Sequence, residues 1–338
     1  MQEIDVMMFN EDRNPSQGQS HPLFFTGSNG KDYLLKSQSV KIDGSIIIEN
    51  CVFIQEMLAY QLAEYLNIPV PGYAIVNVDK AILSYNRKTQ FNNLLLEGRY
   101  FATEVIPGNQ QNILQNNTIS SRINRPKYKE PLPDFYGKIS NKEIFANLIA
   151  FDLFLLNFDR FGNNGNFIVS LDSFSNTYRG FAIDFGHSFF GPTWNLDKQK
   201  FLGLPTKIID YATLQNYIDR VLDTLSQSNG YSGIVFPGLG EVFNAMERHI
   251  KFNHSNPFLE IVSKIKSFTR QKLQSYLDNI PLEWFVDEKA QKNLYLNFLM
   301  KQKELLPYII NTLYNYGAFS NNLGGNLEWK IDSQLGIQ

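Results

Sequence analysis

The chain lacks most of the features that assign a protein quickly. Cys51 is its only cysteine, so an intramolecular disulfide framework is excluded. It lies in the apolar segment C-V-F-I-Q-E-M-L and reads as a small buried side chain rather than a nucleophile. Four histidines (His21, His187, His249, His254) are dispersed without metal-ligand spacing, which argues against a histidine zinc site. Lys and Arg form no long run and the formal net charge is -2, so no nucleic-acid partner and no anionic membrane surface is expected. No apolar stretch has the length of a membrane span, and the best, 149–156, contains Asp152. The first residues show no basic segment followed by an apolar one, so the expected compartment is the cytoplasm. No repeat period is visible, and the oligomeric state is left open.

What is present describes a globular protein. The 338 residues are 43% apolar and 19% charged, enough for two lobes and a sizeable core. An aromatic content of 14% is expected to fill those cores. After a polar leader at 10–21, P-L-F-F-T-G-S-N-G-K-D-Y-L-L-K reads strand, turn, strand, with Gly27, Ser28 and Gly30 in the turn and Lys36 ending the returning strand. Residues 50–66 carry apolar side chains at helical spacing around Glu56, and N-I-P-V-P stops that helix. Strands are expected over 73–78 and 100–105, the second running into Ile106-Pro107-Gly108 as a hinge. A long loop follows over 109–138. Ser140 or Asn141 is expected to cap a helix apolar nearly all round, ending near Asn157. Beyond 195, amphipathic patterns predict helices at 214–225, 239–250, 258–277 and 288–314.

The middle of the chain carries the chemistry. The stretch L-L-N-F-D-R-F-G-N-N-G-N-F-I-V is followed, after a polar turn, by F-A-I-D-F-G-H-S-F-F-G. Phe167-Ile168-Val169 and Phe181-Ala182-Ile183 are strand-like, and a hairpin between them brings Asp159, Asn164 and Asp184 to one end. Phosphoryl transfer by protein kinases needs such a set: an Asp facing the acceptor hydroxyl, then an Asn and a second Asp for magnesium. The step from Asp159 to Asn164 is that of kinase catalytic loops. Asp, Asn and Gly between apolar runs are also ordinary turn chemistry. Lys36 and Glu56 supply a candidate phosphate clamp, against the reading of an exposed strand end and a solvated helix glutamate.

Four segments together resemble the HipA-like kinases, a branch of the protein-kinase-like superfamily: Y-L-L-K (33–36), Q-E-M-L-A-Y-Q-L-A-E-Y-L-N-I-P-V-P (55–71), N-F-D-R-F-G-N-N-G-N-F-I-V (157–169) and A-I-D-F-G-H-S-F-F-G (182–191). The resemblance covers roughly residues 20 to 300 in order. It implies an α+β, bilobal protein-kinase-like fold, with a small β-rich N-lobe holding one main helix (1–106) and a larger, mostly helical C-lobe (107–338). It further implies ATP and Mg2+ as cofactors and phosphorylation of a hydroxyl, for which Ser or Thr of a protein substrate is the first expectation. By position, Asp159 is the catalytic Asp, Lys36 and Glu56 the clamp, and Asn164 and Asp184 the metal ligands, with Asn166 a second choice for the Asn. Gly27, Ser28 and Gly30 fall in the phosphate loop, and Ala102, Thr103, Glu104 and Val105 where backbone groups meet adenine. Ser28 is also where toxin-type relatives autophosphorylate; its other reading is a simple turn former. Only about twenty residues precede the glycine turn, so the chain is similar to the short stand-alone members rather than to the toxins.

Two other readings stay open at this stage. N-F-D-R and A-I-D-F-G also resemble the type II phosphatidylinositol kinases, which implies a lipid or small-molecule acceptor. A nucleotide-binding module without transfer is the third, opposed by the joint presence of Lys36, Asp159, Asn164 and Asp184.

Overall fold

The computed structural model describes residues 2–10, 23–42, 45–87, 90, 94–109, 136–162, 166–172, 174–228, 233, 247–252 and 256–329. Its N-terminal part is a closed five-stranded barrel in the order β1-β2-β3-β7-β6. The strands are β1 (Gln2–Phe9), β2 (Leu23–Gly27), β3 (Asp32–Leu35), β6 (Tyr73–Val78) and β7 (Gly98–Glu104). β1 runs parallel to β6 and closes the barrel; the other pairings are antiparallel. The interior is small and apolar: Ile4, Phe25, Tyr33, Leu35, Val76 and Ala102 are buried, with Phe25 stacked on Tyr33 at 5.4 Å. A separate hairpin pairs β4 (Ser39–Ile42) with β5 (Ser45–Ile48).

α1 (Val52–Tyr65) is the expected main helix, and all of it from Val52 to Ala63 is buried. A helix apolar on every face has to be covered on every face. The barrel covers one side, through Tyr100 at 5.6 Å from Phe53 and Phe101 at 5.3 Å from Tyr60. The C-terminal part covers the other, through Trp284 at 5.2 Å from Phe53 and Phe185 at 5.5 Å from Tyr60. Each large apolar side chain so buried stabilises by about 1.5–3 kcal/mol. The helix stops where Asn67 turns left-handed (φ 57°) ahead of Pro69 and Pro71.

A second helix of this part, α2 (Lys80–Tyr85), is capped by the Asp79 carboxylate, which accepts from the Ile82 amide at 2.7 Å. α3 (Glu143–Leu155) is the predicted apolar helix, and from Ile144 on it lies in the core except at Asn147. Its start differs from expectation: Lys142 holds the cap position. Ser140 and Asn141 bond instead to the strand beside them, Asn141 exchanging two bonds with the Gly180 backbone (3.0 and 2.9 Å) and Ser140 Oγ donating to Tyr178 O at 2.9 Å. The helix ends on a left-handed Leu156 (φ 52°), which turns the chain into α4 (Asp159–Gly162). The hairpin β8 (Phe167–Asp172) and β9 (Thr177–Ala182) follows, antiparallel as predicted.

The rest is helical: α5 (Leu196–Leu202), α6 (Tyr211–Ser228), α7 (Leu259–Lys266), α8 (Arg270–Asp278) and α9 (Glu288–Asn315). The single helix expected over 258–277 is two, because Thr269 caps a new start by accepting from the Lys272 amide at 3.1 Å. The helix expected over 239–250 lies largely outside the described residues. α9 packs against α3, α6, α7 and α8 and gathers the helical part around itself. Among the described residues no helix is long and apolar enough to cross a membrane.

Candidate active site

The end of β3, the middle of α1 and the turn after β9 meet at one cation. Lys36 follows β3 directly and is anchored by its amide, which donates to Phe101 O at 2.9 Å. Its ammonium lies 3.1 Å from Glu56 Oε1 and 3.0 Å from Asp184 Oδ1. Glu56 is fully buried, and its two oxygens also accept the amides of Phe185 and Gly186, each at 3.1 Å. A buried carboxylate with one cation and two amide donors has the partners its charge requires. Asp184 sits in the left-handed region (φ 62°). That conformation costs a residue with a Cβ about 1–3 kcal/mol, and the bonds Glu56 makes to the next two amides hold it in place.

The charges respond to each other as their separations require. Burial alone would lower the Lys36 pKa, but Asp184 and Glu56 outweigh it and hold the ammonium above its ordinary value. Burial likewise works against ionised Asp184, yet Lys36 brings its carboxyl down to about 2. Glu56 moves the other way: burial raises it against the pull of Lys36.

Asp159 opens α4 at the same end of the hairpin. Its Oδ2 accepts from Asn166 Nδ2 at 2.6 Å, and Ile183 N donates to Asn166 O at 3.2 Å, which ties the two strand ends together. Asn164 lies outside the described residues. Arg160 is wholly buried and does structural work. Its Nε donates to Asp152 Oδ2 at 2.7 Å, its Nη1 to the carbonyls of Asn166 and Ile183, and Phe185 lies 4.7 Å from its guanidinium carbon. Asn157 Nδ2 supports the same Asp152 at 3.0 Å, and burial nonetheless pushes that carboxyl up to about 6. The residue after Asp159 thus makes a fully buried salt bridge. The one sequence signal for this network was Asp152 itself, a charge in an otherwise apolar helix.

The remaining site residues are placed less simply. In the glycine turn, Gly27 N donates to Lys31 O, Ser28 N to Asp5 O and Gly30 N to Gly27 O, all at 2.9 Å. Ser28 Oγ accepts from Asp5 N at 3.1 Å. The turn therefore closes the barrel on itself, and its amides would have to leave these partners to reach a phosphate. Gly30 (φ 76°) occupies the left-handed position that the turn demands. Ala102 and Thr103 lie in β7 with a neighbouring strand on both sides. Glu104 N donates to Gly72 O at 2.7 Å and Val105 N to Asp32 O at 2.9 Å, where the chain leaves the barrel. Sequence reasoning missed Gln55 and Lys198: Gln55 Nε2 donates to Gly186 O, and the buried Lys198 ammonium donates to Gln55 Oε1 at 2.5 Å and to Gly191 O. Nothing in the local pattern around Lys198 marks it.

No curated protein matches the chain. Among solved structures, it is similar to the proinflammatory kinase CtkA of Helicobacter pylori, at 16% identity and a TM-score of 0.54, over 92% of this chain and 97% of that one. This likeness carries the fold: mixed α+β and kinase-like, with a β-rich N-terminal part and a helical C-terminal part. A weaker likeness is to HipA of Shewanella oneidensis MR-1, solved with HipB and its operator DNA, at 12% identity and a TM-score of 0.35, over 86% of this chain and 64% of that one. The HipA-like kinase family model matches residues 11–202, which contain Lys36, Glu56, Asp159 and Asp184, and the chain belongs to that family.

Proposed function

We propose that the protein is an ATP- and magnesium-dependent kinase that transfers the γ-phosphate to a Ser or Thr hydroxyl of a protein. The observation that carries this reading is the position of Lys36 Nζ, 3.1 Å from Glu56 and 3.0 Å from Asp184, beside the Asp159–Asn166 pair. In this reading Lys36 meets the ATP phosphates, and Glu56 keeps it charged and aimed. Asp159 accepts the proton of the acceptor hydroxyl as that oxygen bonds to the γ-phosphorus and the bond to the β-phosphate oxygen breaks, releasing ADP. Such a reaction is governed by positioning and by stabilisation of spread negative charge, and loss of one such contact typically costs 10²–10³ in rate.

The donors suit magnesium, a hard cation that takes one or two carboxylates together with phosphate and water oxygens. Asp184 offers a carboxylate that stays ionised, and Asn166 keeps its carbonyl oxygen while its amide bonds Asp159. Bound there, magnesium would neutralise β- and γ-phosphate charge. Asn164 remains the alternative Asn by its spacing from Asp159. Of the proposed adenine contacts, Glu104 and Val105 lie at the exit of β7; their amides already donate to Gly72 O and Asp32 O, so a contact there would fall to their carbonyl oxygens.

The test is incubation with γ-labelled ATP and magnesium, offering protein extract in one arm and phosphatidylinositol vesicles in another. Label in protein on phosphoserine or phosphothreonine supports the reading. Label only in lipid, or in neither arm, contradicts it.

A further inference from the structure

A cleft of about 320 Å3 opens beside Asp159. Its walls come from three places in the chain. Leu156 and Phe158 flank Asn157 on the approach to α4, Phe190 and Gly191 follow the Asp184 turn, and Thr224 and Ser228 stand one helical turn apart on α6. Leu156 and Phe158 are buried, and Phe190 is stacked on Phe201 at 4.0 Å. The two hydroxyls are turned onto their own helix: Thr224 Oγ1 donates to Arg220 O at 2.8 Å and Ser228 Oγ to Leu225 O at 2.7 Å. What they leave for a guest is methyl and methylene surface.

Charged side chains in the cleft are sparse. Asp159 contributes a carboxylate, and the imidazole of His187 lies 3.6 Å from Glu49. Among the described residues no lysine or arginine lines it. One wall is also conformationally costly. Phe189, Phe190 and Gly191 have φ of 56°, 66° and 98°, two consecutive non-glycine residues in the left-handed region. Such strain persists only where surroundings over-determine it, and it clusters at functional sites. Here Phe189 N donates to Leu155 O at 2.6 Å, the Phe189 ring packs at 4.8 Å on Tyr295, and the Lys198 ammonium holds Gly191 O.

We infer that this cleft is the acceptor subsite and that it takes an apolar side chain flanking the acceptor hydroxyl of a polypeptide. The inference rests on the kinase reading, which is what places a hydroxyl at Asp159. A phosphorylated headgroup would find no lysine or arginine among the described lining residues and would face the Asp159 charge. The volume lies at the lower end for small-molecule pockets and suits one or two side chains.

The experiment uses the full chain with peptides carrying one Ser, flanked in turn by Leu, Met, Phe, Asp or Lys. With Mg-ATP, kcat/KM is expected to be about tenfold higher for apolar flanks, the scale on which hydrophobic pockets discriminate. Thr224→Trp and, independently, Ser228→Trp fill the cleft; each raises KM for the apolar-flanked peptide about tenfold, with kcat and nucleotide Kd unchanged. Fluorescein-labelled peptides with Ala replacing the Ser report binding alone by anisotropy, and show the same flank preference and its loss in both variants. Transfer without flank preference overturns the inference, as does a preference that survives both tryptophans or transfer to phosphatidylinositol vesicles above every peptide. Labelled peptide that binds with the preference while Ser peptides receive no phosphate supports the subsite and sinks the kinase reading instead.

Discussion

Two largely enclosed lysines, bound to adjacent residues of α1, show how little burial decides by itself. Lys36 is enclosed with two carboxylates, Glu56 and Asp184, and its ammonium is held above the ordinary range. Lys198 is enclosed with neutral oxygens, those of Gln55 and Gly191, and burial pushes it down to about 7. Partners set the sign of the shift. Both lysines bind adjacent residues of one helix, and both of those residues reach the turn after Asp184. Glu56 accepts the amides of Phe185 and Gly186, and Gln55 donates to the Gly186 carbonyl. The charged region is suited to meet phosphate; the neutral region fastens α1 and the wall of the cleft in place.

The largest effect should follow from breaking the charged region. Lys36→Met is expected to lower kcat/KM by at least about 10². It also leaves two carboxylates facing each other, so urea unfolding should show a loss on the order of 3–5 kcal/mol. Glu56→Gln should cost less activity, and the double variant little more than Lys36→Met, since residues in one network are not additive. Additive losses would show that Glu56 does not act through Lys36.

The two lysines should also part in alkaline solution. Lys36 titrates above its ordinary 10.5 when folded, so its stabilising contribution is complete below that pH and is lost as pH rises through the folded value. Lys198, at about 7 folded against 10.5 ordinarily, behaves oppositely. Between those values the unfolded chain binds the extra proton, so stability rises with pH across that window and is flat below it. Lys198→Met should remove that rise, seen as the difference between the two proteins' urea midpoints from pH 7 to 10. An unchanged slope would mean that Lys198 stays protonated in the fold. The smallest and sharpest change is Gln55→Glu, which gives Lys198 a carboxylate and so copies the Lys36 arrangement. It should raise the Lys198 pKa and flatten the same slope, whatever it costs in the lost bond to Gly186. A slope left as in the wild type would show that the two regions differ by more than their partners.

Much of the kinase-like core was legible because local chemistry and burial agree there. α1 runs between an apolar-all-round pattern and N-I-P-V-P, and the hairpin β8–β9 is two short apolar runs around a turn. Asp159 and Asp184 were found because they lie at the ends of those elements. β1 was not found. A register shift between Val6 and Met8 breaks its alternation, leaving Met7 and Met8 63% and 56% exposed in a run that reads as neither strand nor helix. β5 was missed for a related reason: Ile46, Ile47 and Ile48 are all exposed, so its sequence shows no inward face. The contact from Lys198 to Gln55 joins residues 143 positions apart, and only the fold brings them together.

The proposed kinase reading divides labour between two aspartates, giving the acceptor to Asp159 and the nucleotide with its metal to Asp184. Magnesium-nucleotide affinity, measured by titration calorimetry alongside transfer for Asp159→Asn and Asp184→Asn, tests it directly. Asp159→Asn is expected to abolish transfer with nucleotide Kd within a few fold of wild type, whereas Asp184→Asn should weaken binding as well, because the proposed metal ligand loses its charge. Equal loss of nucleotide affinity in the two variants, or transfer surviving in Asp159→Asn, would contradict it.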